Sequence, residues 1–317
     1  MSIQDTVDKI RKGDIRVVAR FIRKIDDGDE DVCEVLKELH KFSGHAHIIG
    51  ITGNPGSGKS TIINNLIRFY RTKNKKVGVV AVDPSSPFSG GAILGDRIRM
   101  QEHSNDPEVF LRSVATRGNL GGLSASTSSI VRVMEAMGKD IIIIETVGVG
   151  QDEVDIIKLA HTTIVVTVPG LGDDIQAIKA GILEIADIFV VNKADKEGVE
   201  KTIRDLRLML ELKNRQEGMR TPPIVTTKGI TGEGIEILAK EIEEHRSYIS
   251  SSNIDRYLNA RRDYIEFVDL LKSNINRKIE KIIESEIGNR SELISRFENK
   301  ELNPYNLVEN TIKKVFG

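Results

Sequence analysis

The chain has 317 residues, with 46 Lys and Arg against 47 Asp and Glu, so its formal net charge is −1. Apolar residues make up 39% and charged residues 29%, a composition that excludes a disordered chain and a coiled coil throughout. A balance this close to neutral argues against nucleic acid as a partner, because such proteins carry a basic excess.

The opening residues, MSIQDTVDKIRKGD, mix acids and bases without an apolar core and read as neither a signal nor a transit peptide. Residues 1–45 are expected to form a helical extension. Val7, Ile10, Ile15, Val18, Phe21 and Ile22 recur at helical spacing, as do Val32, Val35, Leu36 and Leu39. The Asp26-Asp27-Gly28-Asp29 break separates two helices. A cap packed on the main domain and a partner-docking arm both fit this pattern. The single Cys33 can form neither an internal disulfide nor a thiolate metal cage, and the expected compartment is the reducing cytoplasm.

From His47 the pattern changes. HIIGITG is a short buried strand, followed by a Gly-rich turn and a helix over 61–73. Further strands are expected at 77–83, 109–115, 141–146, 162–169, 188–195 and 223–229, with a helix over 126–137 and other helical stretches between most strands. Buried strands alternating with helices predict a doubly wound, mostly parallel α/β sheet over residues 46–250. The longest apolar runs, 141–144 and 164–168, are far too short to span a bilayer, and no membrane partner is expected. Residues 251–317 read as a helical extension. In its first helix, 254–287, Tyr264, Val268, Leu271, Ile275, Ile279 and Ile282 form a narrow stripe that either packs on its own domain or pairs with a second subunit.

The turn after the first strand is Gly53-Asn54-Pro55-Gly56-Ser57-Gly58-Lys59-Ser60, then Thr61, an unmismatched G-x-x-x-x-G-K-[ST] between a strand and a helix. Glycines let successive backbone N–H groups face phosphate oxygens, and the helix N-terminus adds positive potential. Lys59 is placed to reach the β- and γ-phosphates and Ser60 to ligate Mg²⁺. Asn192-Lys193-Ala194-Asp195 ends a later strand and matches N-K-x-D. A carboxylate at Asp195 can accept from both N1–H and the exocyclic amine of guanine, a donor pair adenine lacks, so GTP and GDP are the expected ligands. Val225-Thr226-Thr227-Lys228-Gly229, at the end of the next strand, is where a further base-contacting loop would fall, with Lys228, Gly229 and Ile230 as its candidate contacts.

Five more groups bear on the metal and the reaction. Glu145 in ETVG takes the place of the Asp in the D-x-x-G of many GTPases, and supplies a hard oxygen. Gln151 either orients the attacking water or is a solvated loop amide. Asp83 in VDPSSP and Asp96 in LGD are strand-end or loop acids placed for Mg²⁺ or water, or else caps of a turn and a helix. Arg97, Arg99 and Arg117 are candidates to offset phosphate charge or ordinary ion-pair residues. The loop PGLGDDIQAIK, with Asp173 and Lys179, either answers to nucleotide state or merely connects strand to helix.

Together, GITGNPGSGKST, VDPSSPFSGGAILGDRIRM, ETVGVGQDE, PGLGDDIQAIKAGILEIAD and NKAD resemble the MeaB/ArgK family, the methylmalonyl-CoA mutase-associated P-loop GTPases related to metallochaperone GTPases. The similarity runs from about His47 to Gly234. It implies a SIMIBI-like G domain in a homodimeric, GTP-hydrolysing chaperone that gates cofactor loading of an adenosylcobalamin-dependent acyl-CoA mutase and protects that mutase. By position it implies that Lys59 and Ser60 hold phosphate and Mg²⁺. Asp83, Asp96 and Glu145 become metal and switch acids, Asp195 reads guanine, and Asp173 and Lys179 answer to the mutase. Gln151 matches a family glutamine. Two other readings are a metal-insertion GTPase, for which only the His45/His47 pair speaks, and an ATPase or kinase linked to basic amino-acid transport, which NKAD opposes.

Overall fold

The computed structural model describes residues 1–29, 31–83, 101–103, 105–115, 122–146, 158–170, 185–212, 220–284 and 290–316. The chain forms two compact units, Met1–Ile265 and Glu266–Gly317.

Among the described residues the larger unit is built on seven strands: β1 (His47–Thr52), β2 (Val77–Asp83), β3 (Val109–Ala115), β4 (Ile141–Glu145), β5 (Thr162–Thr167), β6 (Ile188–Val191) and β7 (Ile224–Thr226). Their order is β3-β2-β4-β1-β5-β6-β7, and every pairing is parallel. Because β1 pairs with β4 on one side and β5 on the other, the strand order reverses beside it, and a crevice opens beyond the C-terminal ends of these strands.

Alternation along each strand explains why both faces are covered. Ile49, Ile51, Val79, Ile141, Ile143, Ile164 and Ile188 point to one side, where α4 (Lys59–Thr72) packs through Ile62, Ile63, Leu66 and Ile67. The helix α7 (Ile235–Ser251) joins that layer through Ile235, Leu238 and Ile242. Ile48, Val80, Val82, Ile142 and Ile144 point the other way, onto α5 (Gly122–Ala136) and the N-terminal helices. On that same side α6 (Val199–Leu212) covers Val165, Phe189 and Val191 with Leu206 and Leu210. Strands buried on both faces read as near-continuous apolar runs, which is how the sequence writes them.

The N-terminal extension holds three helices where periodicity predicts two: α1 (Ile3–Arg11), α2 (Ile15–Asp27) and α3 (Val32–His40). Gly13 adopts a left-handed backbone with φ 75°, and the Asp14 side chain accepts from the backbone N–H groups of Arg16 and Val17. This stop and start interrupts a stripe whose apolar spacing continues through it. The expected break at Asp26–Asp29 lies where Gly28 ends α2 with φ 70°.

The helix α8 (Ile254–Ile282) begins in the larger unit. There Arg262, buried, donates to the fully buried Glu135 of α5 at 2.9 Å. The smaller unit holds the rest of α8, α9 (Arg290–Glu298) and α10 (Pro304–Phe316). Phe267, Leu271, Ile294, Tyr305, Val308 and Ile312 are exposed on it. Among the described residues no helix is long and apolar enough to cross a membrane.

Candidate nucleotide-binding site

The Gly-rich turn 53–58 leaves the C-terminal end of β1 and runs into α4 in the crevice. Two of its glycines are dictated by space and backbone. At Gly53, φ is 138° and a Cβ would lie 2.0 Å from the Val166 carbonyl oxygen; at Gly58, φ is 93° and a Cβ would lie 2.2 Å from Asn192 Nδ2. A side chain at either would push the loop off the sheet.

Lys59 is buried at the first residue of α4. Its ammonium donates back to the carbonyls of Gly53 at 2.6 Å and Asn54 at 3.2 Å, so it spans the mouth of the loop. Ser57 is 1% exposed and its hydroxyl makes no hydrogen bond, an orphaned polar atom within the cradle. Ser60 Oγ donates to Glu145 Oε1 at 2.8 Å, and both side chains are buried. Thr146 Oγ1, next along, donates to Thr52 Oγ1 at 3.0 Å. The structure thus brings together a Gly-rich loop, a hydroxyl and a carboxylate, the last two being oxygen donors of the kind that a hard divalent cation takes.

The N-K-x-D segment follows β6, and its Asn192, 2% exposed, ties three pieces of backbone together. Asn192 Nδ2 donates to the Ser57 carbonyl at 2.8 Å. Its Oδ1 accepts from Thr227 Oγ1 and from the Gly229 N–H, each at 3.0 Å. Lys193 sits in the left-handed region with φ 56° and sends its ammonium to the Gly56 carbonyl at 2.8 Å. A non-glycine residue held there marks a backbone fixed by its surroundings. Asp195 is exposed at the end of the segment.

After β7, Lys228 pairs with Glu233 at 2.7 Å across a tight loop that carries Gly229 and the 96% exposed Ile230. The geometry adds one residue that motif reading passes over, Asn65. Asn65 Nδ2, in the second turn of α4, donates to the Gly229 carbonyl at 2.7 Å. No short motif marks Asn65; its only signal is being one helical turn beyond Thr61. Asn54, Pro55, Gly56 and Thr61 lie in the loop or first turn, as the motif places them.

Asp83 is the last residue of β2, at the same sheet edge. Asp96, Gln151, Asp173 and Lys179 lie outside the described residues. The His45/His47 pair separates: His45 precedes β1 and is exposed, whereas His47 is a core residue with Nε2 2.9 Å from Thr162 Oγ1. Among the described residues no group of three or more His, Cys, Asp or Glu could hold a metal ion.

Comparison with known proteins agrees with this geometry. A crystal structure of a LAO/AO transport system kinase superposes with a TM-score of 0.70 at 22% identity, covering 99% of this chain and 98% of that one, which shows the shared fold. A Pyrococcus horikoshii protein, classed only by name as a GTPase, is 46% identical over 317 residues, 99% of each chain. The mouse protein named methylmalonic aciduria type A homolog, mitochondrial, is 35% identical over 207 residues, 64% of this chain and 50% of that one. The profile of the family described as methylmalonyl Co-A mutase-associated GTPase MeaB matches residues 19–283. The chain belongs to that family, and is a GTPase that binds guanine nucleotide.

Proposed function

We propose that this GTPase is a nucleotide-gated chaperone for an adenosylcobalamin-dependent acyl-CoA mutase of the methylmalonyl-CoA mutase type, its GTP cycle gating cofactor loading. The family description and the name of the mouse relative support the choice of partner. The observation that carries the gating is the 2.8 Å contact between Ser60 and Glu145. It joins the phosphate-binding helix to the end of β4, from which the chain runs directly into VGVGQDE. Whatever grips Ser60 therefore acts on the strand end that leads into this segment.

In this reading Lys59 and the loop N–H groups hold the β- and γ-phosphates. Ser57 Oγ, buried without a hydrogen bond, supplies a further donor. The buried Ser60 hydroxyl and Glu145 carboxylate fit Mg²⁺, with Ser60 a direct ligand and Asp83 and Asp96 further acids for its shell. When bound, the ion neutralises charge on the β- and γ-oxygens. Asp195 accepts the two guanine donors, with Lys193, Lys228, Gly229 and Ile230 around the base. Gln151 orients water. Asp173 and Lys179 respond to the mutase, and the exposed apolar residues of α8, α9 and α10 pair two copies into a homodimer.

Capture from native lysate tests the partner. The tagged protein carrying a non-hydrolysable GTP analogue is expected to retain an acyl-CoA mutase subunit, and that mutase to accelerate GTP hydrolysis. No mutase in either nucleotide state, together with hydrolysis indifferent to added mutase, rejects the proposal.

A further inference from the structure

We infer that Asn65, on the phosphate-binding helix, is a positioning residue that sets guanine affinity by fixing the loop carrying Gly229 and Ile230. The inference rests on the reading of that loop as part of the guanine site, and deepens it.

The Gly229 peptide is gripped on both sides. Its N–H donates to Asn192 Oδ1 at 3.0 Å, and its carbonyl accepts from Asn65 Nδ2 at 2.7 Å. Asn192 alone would tie the base loop to the sheet and to Ser57. Asn65 adds a tie to α4, the helix whose first residue is Lys59. The distance between the phosphate-holding lysine and the base loop is therefore set through one rigid helix.

Asn65 is itself held. Its Nδ2 also donates to the Thr61 carbonyl at 3.0 Å, and its Oδ1 accepts from Arg68 Nη1 at 3.2 Å. These bonds fix which end of the amide faces Gly229. The loop leaves little slack, because a Cβ at Gly229 would lie 3.3 Å from both Asn192 Oδ1 and Thr61 Cγ2.

Arg68 carries the chain of contacts further. Its second terminal nitrogen pairs with Glu102, in the short helix Gln101–His103 just after residues 84–100. The base loop is thus linked, through Asn65 and Arg68, to the exit of the segment that contains Asp96. Both Arg68 and Glu102 are well exposed, so this outer link is weak beside the half-buried Asn65 contact.

The consequence is selective. Loosening the loop costs base contacts and leaves the phosphate contacts in place. GDP affinity should fall while the weak, phosphate-dominated affinity for ADP stays. Competition against a fluorescent GDP, with full-length protein and Mg²⁺, measures both affinities in wild type, Asn65→Ala, Asn65→Asp and Arg68→Ala. Asn65→Asp keeps the shape and the acceptor towards Arg68 but removes the donor to Gly229. Both Asn65 variants are expected to lower the GDP-to-ADP affinity ratio about tenfold, and Arg68→Ala about twofold.

A ratio within twofold of wild type in both Asn65 variants, with GDP preference intact in wild type, overturns the inference and leaves the guanine reading standing. An equal fall in both affinities also overturns it, since that marks general damage to α4. Absence of GDP preference in wild type removes the guanine reading and this inference with it.

Discussion

The side-chain amide of Asn192 donates to the carbonyl of Ser57 at 2.8 Å, across 135 residues of sequence. The Gly-rich turn 53–58 and the strand end that leads to Asp195 are therefore one hydrogen-bonded assembly. Purine and phosphate sites separated in this way keep a fixed distance whether or not a ligand spans them. Such preorganisation lowers the ordering cost of binding.

Replacing Asn192 by Ala should break that assembly. It orphans the Ser57 carbonyl, the Thr227 hydroxyl and the Gly229 N–H, all buried residues. Each unsatisfied group costs about 1–3 kcal/mol where water cannot reach it. The expected outcome is a clear drop in melting temperature together with a loss of GDP affinity above tenfold, read by thermal unfolding and calorimetry. Wild-type values for both would contradict the role given to this side chain.

Asp195→Asn should change which base is bound. Guanine offers two donors to a carboxylate, and xanthine presents a carbonyl where guanine has its amine, which the amide of Asn can meet with its N–H. The variant is expected to lose GDP affinity by at least a hundredfold and to prefer XDP. Asp195 is exposed at the end of its segment, so the fold should be indifferent to the change. Unchanged GDP affinity would remove Asp195 from the base site.

Much of this was legible in the sequence because the relevant signals are local. Strands such as IIII at 141–144 and IFVV at 188–191 are buried on both faces, and their apolar runs announce it. The P-loop and N-K-x-D likewise encode their geometry in a few adjacent residues. The break at Gly13 and Asp14 is written there too, as a left-handed glycine and a helix cap, but the apolar stripe runs across it and hides it. Asn65 is invisible for another reason. Its partner, Gly229, comes from another element, and an Asn in a helix has no periodicity to distinguish it. Glu135 and Arg262, 127 residues apart, are the same case in the core.

That pair gives a stability prediction. Glu135 is fully buried, and accepts from the backbone N–H of Gly44 at 2.9 Å and of Ala46 at 3.3 Å as well as from Arg262. It therefore fastens the linker between α3 and β1 to α5 and to the start of α8. Arg262→Ala strands a carboxylate in the core and should cost about 3–5 kcal/mol. The double variant Glu135→Gln, Arg262→Met removes both charges and should recover part of that loss. Urea denaturation of the two variants distinguishes them; equal midpoints would mean that the charge itself is not what Arg262 compensates.

A buried histidine cluster at the N-terminal ends of the strands, opposite the P-loop, gives the pH dependence. His47 and His245 flank the Thr162 hydroxyl at 2.9 and 2.8 Å, and His161 stacks on His47. His161 Nδ1 accepts from the Ile48 N–H at 3.1 Å, which requires a neutral ring, because an imidazolium would oppose a proton to a proton. Burial pushes all three below the ordinary histidine value, His245 to about 4, with Arg246, Arg262 and Arg220 adding to the effect on His47, His161 and His245 respectively. Their folded values lie below the unfolded 6.5, so the unfolded chain takes up protons first. The stability they contribute is present above the unfolded value and drains away as pH falls below it, for His245 down to about 4. Asp187 acts in the opposite sense, since burial raises it from 3.8 to about 7 and the folded chain keeps its proton between those values. Three imidazoles stand against this one carboxyl, whose Oδ1 lies 3.4 Å from His245 Nε2, so unfolding takes up protons on balance as pH falls below 6.5. Melting temperature should fall steeply between pH 7 and pH 5, and His161→Gln should make that fall shallower while leaving GDP affinity at pH 7 unchanged. A melting temperature flat across this range would show that the three imidazoles take up protons as readily in the fold as in the unfolded chain.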